Sequence, residues 1–282
     1  MTSTIKNEFL TVIIKHLGAE LISLKNTSKE YIWEGNPSFW NKHSPVLFPI
    51  VGTLKDNSYF YNNKKYTLPR HGFARDNMFK VIKQLDNEII FSLQYDDETL
   101  KVYPFKFELE LHYTLFEKKI SITYKIINLE QIEIPFSIGA HPAFALAQNF
   151  ENYSLEFQEQ EILNCFTLEN DLLSMKNYNI ELFNKKLPLS YTAFQNDALI
   201  FKSLQSKEIT ILENEKPVLK VKFDDFKNLG IWTKKNAPFI CIEPWLGYSD
   251  TVNCIGNLYK KEGIQILKKN KAFECKFIIE IL

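Results

Sequence analysis

Residues 107–126 read FELELHYTLFEKKISITYKI. Phe107, Leu109, Leu111, Tyr113 and Leu115 alternate with polar residues, and Ile120, Ile122, Tyr124 and Ile126 repeat the pattern. Glu117-Lys118-Lys119 separates the two runs. Apolar residues at every second position put one face of a strand in a core, and the polar break between two such runs predicts a long hairpin. Working outward, Leu10–Ile14, Glu20–Leu24, Ile89–Tyr95, Ser154–Phe157, Glu208–Leu212, Val218–Phe223, Phe239–Ile242 and Cys275–Ile281 read the same way. Helical periodicity is weak throughout, with one short helical turn expected at Pro37–Asn41. The polar stretches Tyr59–Lys65 and Asn164–Asn179 read as hairpin tips or long loops. So many short strands exceed one sheet of ordinary size. The chain is therefore expected to be all-β, a large antiparallel β-sandwich of two packed sheets.

A chain of 282 residues can bury enough apolar surface to need no disulfide or metal staple. No Gly/Ser-rich spacer, charge block or fixed repeat divides it, so residues 1–282 are expected to form a single domain. Net charge is zero and the basic residues are interleaved with acids, which argues against nucleic-acid or anionic-membrane partners. The N-terminus lacks an apolar signal core, and no apolar run approaches the roughly 20 residues that span a bilayer. A cytoplasmic location is expected. Cys165, Cys241, Cys254 and Cys275 lack zinc-finger or CxxC spacing and read as buried free thiols. Of 34 Lys and Arg residues only Arg70 and Arg75 are arginine, and both flank His71. In a lysine-charged chain, an arginine marks a place where a planar guanidinium is wanted.

Three segments stand out chemically. His71 lies in Pro69-Arg70-His71-Gly72-Phe73-Ala74-Arg75-Asp76, and His141 in Gly139-Ala140-His141-Pro142-Ala143-Phe144. Both adjoin breaks in the strand pattern, where side chains reach loop mouths. His112 sits inside an alternating strand and reads as structural, while His16 and His43 read as packed or solvated. Phe239-Ile240-Cys241-Ile242-Glu243-Pro244-Trp245 puts a carboxylate at the close of an apolar strand, which Pro244 is expected to end. A carboxylate there must be paired, hydrogen-bonded or functional, because burying it bare is costly. The plain alternative is a strand-end glutamate held by a backbone donor.

Taken together, the segments resemble the aldose 1-epimerase (galactose mutarotase-like) family, in particular its LacX-like branch. The matching motifs are residues 45–52 (PVLFPIVG), 70–75 (RHGFAR), 141–144 (HPAF), 194–199 (FQNDAL) and 242–245 (IEPW). In order and spacing they cover nearly the whole chain. The resemblance implies an antiparallel β-sandwich whose cleft holds one sugar, and an isomerase that interconverts α and β anomers. It implies Glu243 as the base that takes the C1 hydroxyl proton and His141 as the acid that protonates the ring oxygen. His71 and Asp197 would hold sugar hydroxyls. The chemistry needs an acid and a base near neutral pH but no redox step, and no cofactor or metal motif occurs. No cofactor is expected. Phe73 and Trp245 are candidates to pack against the sugar.

Where many family members carry a sugar-contacting arginine, this chain has Thr53, which leaves Arg75 or Lys55 as candidate replacements. In the hexose-6-phosphate epimerase branch, basic residues near this histidine bind phosphate. Arg75 is therefore a candidate phosphate ligand, with pairing to Asp76 as the plain alternative. The partner is expected to be a small-molecule sugar or sugar phosphate, and the assembly a monomer or homodimer. Two other classes stay open: a non-catalytic carbohydrate-binding or sensing protein on the same scaffold, and a glycosidase or lyase using a second carboxylate such as Asp197.

Overall fold

The computed structural model describes residues 1–282. The hairpin of residues 107–126 forms as read, as strands Phe107–Phe116 and Lys119–Asn128 paired in register from Phe107↔Asn128 to Phe116↔Lys119. Their apolar side chains are almost fully buried, and the intervening ones face outward. His112 is on that outer face, bonded to Glu110 at 2.7 Å.

This hairpin lies inside a nine-stranded antiparallel sheet. Its spatial order is Lys186–Pro188, Tyr153–Phe157, Glu208–Glu213, Lys216–Lys222, Ala272–Ile281, Lys119–Asn128, Phe107–Phe116, Glu88–Gln94, Lys80–Gln84. A second large sheet runs Leu172–Glu181, Ile162–Glu169, Leu199–Phe201, Asn228–Trp232, Phe239–Leu246, Ile138–Ala140, Val46–Leu47, with Ala143–Ala145 also paired to Phe239–Leu246. One apolar cluster holds side chains of both sheets, including Leu109, Ile122 and Phe277 from the first and Ile138, Ile240 and Ile242 from the second. This is the expected all-β sandwich. No helix is long and apolar enough to cross a membrane.

Three local readings are corrected. Pro37–Asn41 holds a turn and no helix; the α-helix is Asp97–Val102, started by a capping box between Asp96 and Thr99. Residues 164–179 are no long loop but most of a strand pair, Ile162–Glu169 with Leu172–Glu181. The second of these is an edge strand, largely solvent-exposed, so no buried face imprints a period of two on it. Nor does Pro244 end its strand, which continues to Leu246. Proline lacks only the N–H, and opposite Pro244 the neighbouring strand has already broken its pairing. Tyr59–Lys65 is a hairpin tip, as expected.

Phe107 is completely buried where the two sheets meet, with its ring 5.1 Å from that of Phe48 and 5.9 Å from that of Phe73. We expect Phe107→Ala to cost roughly 3–5 kcal/mol through the cavity it leaves. The readout is a lower urea midpoint with an unchanged slope; a loss below about 1 kcal/mol would mean that this junction is loosely packed.

Candidate active site

The strand Phe239–Leu246 carries two different faces. Ile240, Ile242 and Leu246 point into the sandwich core. Phe239, Cys241, Glu243 and Trp245 point the other way, over the outer face of the second sheet. Residues 138–145 run antiparallel beside it. They pair at Ile138↔Leu246 and Gly139↔Trp245, stop, and pair again from Ala143↔Cys241 to Ala145↔Phe239. The register is the same on both sides of the gap, so His141 faces Glu243 directly. His141-Pro142 interrupts the ladder because proline has no N–H to give it.

The two side chains meet with His141 Nε2 3.3 Å from Glu243 Oε2. They sit on the floor of a cavity of about 530 Å³, within the roughly 300–1,000 Å³ usual for small-molecule sites. On the far side of Glu243 its cross-strand partner is Gly230. A side chain there would collide with the Trp245 ring, and one at Gly139 would come within 2.6 Å of it. The two glycines thus seat the indole beside Glu243. Trp40 stacks on His141 at 4.8 Å, and Trp232 meets it edge-on at 5.7 Å, which fixes the plane of the imidazole.

His71 is brought in from the loop after the Tyr59–Lys65 hairpin. Its φ is +69°, a region that a residue with a Cβ occupies at a cost of order 1–3 kcal/mol. Two bonds to one residue hold it there: His71 N–H donates to Gly52 O at 2.8 Å, and Gly52 N–H donates to His71 Nδ1 at 3.1 Å. Gly72 and Gly52 must be glycine, because a Cβ would strike Phe48 O in one case and Ser249 Oγ in the other. Arg70 Nε–H donates to the other ring nitrogen, Nε2, at 3.2 Å, so the imidazole is gripped through both of its nitrogens. Asp197 lines the cavity as well, with its carboxylate 3.8 Å from Arg70 Nη2.

Burial dominates the electrostatics. It pushes the Glu243 carboxyl well above the usual range; Arg70 pulls it back, Asp197 raises it further, and the Trp245 N–H favours the anion. That indole N–H, Glu243 Oε2 and His141 Nδ1 have no hydrogen-bond partner within the protein. Burial pushes His141 down to about 3, opposed by its own backbone and reinforced by Arg70 and Arg75. His71 is likewise held neutral by burial, with His141, Arg70 and Arg75 adding to the effect. Burial thus biases both groups toward their neutral forms, the carboxyl protonated and the imidazole uncharged.

All five residues singled out in the sequence, His71, Arg75, His141, Asp197 and Glu243, line this cavity. Phe73 does not: it is buried in the core against Phe48 and Tyr103. Lys55 is turned away, donating to Val252 O at 2.9 Å. Thr53 is buried outside the lining, its N–H on Ser249 Oγ at 3.0 Å. Arg75 donates to Arg70 O at 2.7 Å and sits 3.6 Å from Asp76, so the plain pairing exists alongside its place in the cleft. Sequence reading missed Trp40, Trp232, Lys234 and Lys235. One signal was available for the aromatic pair. The chain has four tryptophans, three line the cavity, and the fourth, Trp33, packs on Phe39 at its wall.

As pH falls, a histidine with a depressed pKa stays neutral longer than a free one. We expect the His141 ring nitrogens to titrate in heteronuclear NMR with a midpoint at about 3, where a free imidazole gives 6.5. A midpoint at the free value would mean that the ring is solvated and that the two side chains do not form a buried pair.

The aldose 1-epimerase family model matches residues 1–265. Protein LacX from Lactococcus lactis subsp. lactis is 38% identical over 269 residues, covering 89% of this chain and 90% of that protein. The galactose mutarotase related enzyme from Lactobacillus acidophilus superimposes with a TM-score of 0.95 at 32% identity, over 100% of this chain and 97% of that one. A galactose mutarotase-like protein from Lactobacillus casei gives 0.93 at 28% identity over the whole of both chains. With the family model across most of its length and a relative above a third identical, the chain belongs to the aldose 1-epimerase family.

Proposed function

We propose that the protein is a mutarotase that interconverts the α and β anomers of a hexose by acid–base ring opening. The observation that carries this reading is the buried His141–Glu243 contact at 3.3 Å on the floor of a sugar-sized cleft. The C1 hydroxyl and the ring oxygen are bonded to the same carbon, so two groups this close can reach both. Glu243, as carboxylate, takes the hydroxyl proton. His141, as imidazolium, delivers its proton to the ring oxygen. The C1–ring oxygen bond breaks to give the aldehyde, the C1–C2 bond rotates, and the steps reverse on the other face. His71 and Arg70 hold one sugar hydroxyl, and Asp197 accepts from a neighbouring one. The three unpartnered buried polar atoms gain partners when a sugar enters.

A second reading concerns the substrate. Arg70, Arg75, Lys234 and Lys235 line the cleft against Asp197 and Glu243. With Glu243 protonated, the excess of cations suits a hexose phosphate, and a guanidinium matches phosphate oxygens well.

Anomer exchange measured by NMR on glucose, galactose and their 6-phosphates tests both points. Glu243→Gln and His141→Asn should each slow exchange by about 10²-fold or more, near 3 kcal/mol of barrier. Wild-type rates in both variants would refute the roles, and binding without exchange across the panel would make the protein a carbohydrate sensor. For the phosphosugar reading, the 6-phosphates should show a KM about tenfold lower, and Arg75→Gln should abolish that advantage. Equal KM values for free and phosphorylated sugars would exclude it.

A further inference from the structure

Cys241 lies on the cleft side of its strand, two residues before Glu243, and takes no part in the ring-opening chemistry. One side-chain donor atom from each of Cys241, Glu243 and His141 lies within 4.8 Å of the other two. We propose that these three side chains form a latent site for a thiophilic divalent cation, zinc above all, and that filling it shuts off the acid–base pair.

The donor set is nitrogen, sulfur and oxygen, the ligands zinc takes. Two ligands about 2.0 Å from zinc at a tetrahedral angle are themselves roughly 3.3 Å apart. That matches the separation of His141 Nε2 and Glu243 Oε2. Glu243 Oε2 accepts no hydrogen bond although its residue is 1% exposed, so it is an unused donor aimed at the position a cation would take. Zinc takes a sulfur ligand at about 2.3 Å, and the buried Cys241 thiol is the sulfur at hand, within 4.8 Å of the other two donor atoms. The fourth position faces the open cleft and takes a water.

Charge balance favours the same site. The cation displaces the thiol proton and the carboxyl proton, both of which leave to buffer, and His141 offers the lone pair of Nε2 as a neutral ligand. A doubly charged ion with one thiolate and one carboxylate is neutral overall, which lowers the cost of burial. Motif reading could not find this set, because two ligands are alternate residues of one strand and the third comes from the strand beside it. The occupied site has neither a free base nor a free acid, so a sugar would find no proton relay.

Metal binding can be read without any reference to activity; only the inhibition arm rests on the proposed anomer exchange. The full chain, stripped with chelator, is titrated with cobalt(II) and followed by visible and near-ultraviolet absorption, and with zinc by calorimetry. About one cation per chain is expected, with a thiolate-to-cobalt charge-transfer band. Cys241→Ser and Cys241→Ala should each lose that band and weaken zinc by about tenfold or more, while Cys254→Ser keeps both. Circular dichroism of the two Cys241 variants checks that each is folded. In the activity arm, zinc should inhibit the wild type and chelator restore it. In the Cys241 variants, inhibition relative to each variant's own metal-free rate should need about tenfold more zinc. A charge-transfer band that survives in folded Cys241→Ser, or that follows Cys254, overturns the site. A band with no inhibition leaves the site standing and counts against the catalytic pair.

Discussion

Beside the strand Phe239–Leu246, the chain from Ile138 to Ala145 is held at both ends and free in the middle. The register carried across that gap decides the site. Because the register resumes unchanged, His141 is fixed across from Glu243 by the two flanking sets of strand pairs. The neighbours follow from the same geometry. Gly230 and Gly139 are the cross-strand partners of Glu243 and Trp245, and their missing side chains make room for the indole. Trp232 is the partner of Cys241, which places it edge-on to His141.

A buried carboxyl next to a buried imidazole is costly to ionise one group at a time, but cheap to keep as a pair sharing a proton. The aromatic walls add to the cost of charge and fix ring orientation, so protonation and geometry are set by the same residues. Arg70 pulls in the other direction at Glu243, lowering what burial raises. A carboxyl poised this way can serve as a base once a sugar supplies hydrogen bonds to its anion. The left-handed backbone of His71 is held by two bonds to Gly52, which present the side chain to the cleft.

The sandwich was legible because the strands of its central hairpin are buried on one face only. Residues 107–115 and 120–126 alternate for that reason, and local polarity marks the turn between them. Leu172–Glu181 was not legible, since an exposed edge strand has no buried face to leave a pattern. Pro244 misled because its effect depends on whether a partner wants its N–H, which only the tertiary arrangement decides. The same division holds at the site. His71, His141 and Glu243 stand out by residue type and by neighbouring Gly or Pro, whereas their mutual placement depends on register between strands about a hundred residues apart. Phe73 was misassigned because an aromatic next to a functional histidine reads alike whether it faces the core or the cleft. Trp40 carries no local mark, and its role comes from folding over His141.

The central claim is that Glu243 and His141 work as a pair holding one proton across the neutral range. The kcat/KM for anomer exchange as a function of pH tests it most directly, because that ratio reports the ionisation of the free enzyme. With His141 depressed to about 3 and Glu243 raised, the pair keeps its proton as pH falls through the range of an ordinary histidine. The reactive fraction then does not change. The account predicts a flat acid side through 6.5 and a loss of rate only as the pH rises past the elevated Glu243 ionisation. An inflection centred near 6.5, with the rate rising as an independent imidazole loses its proton, would contradict it.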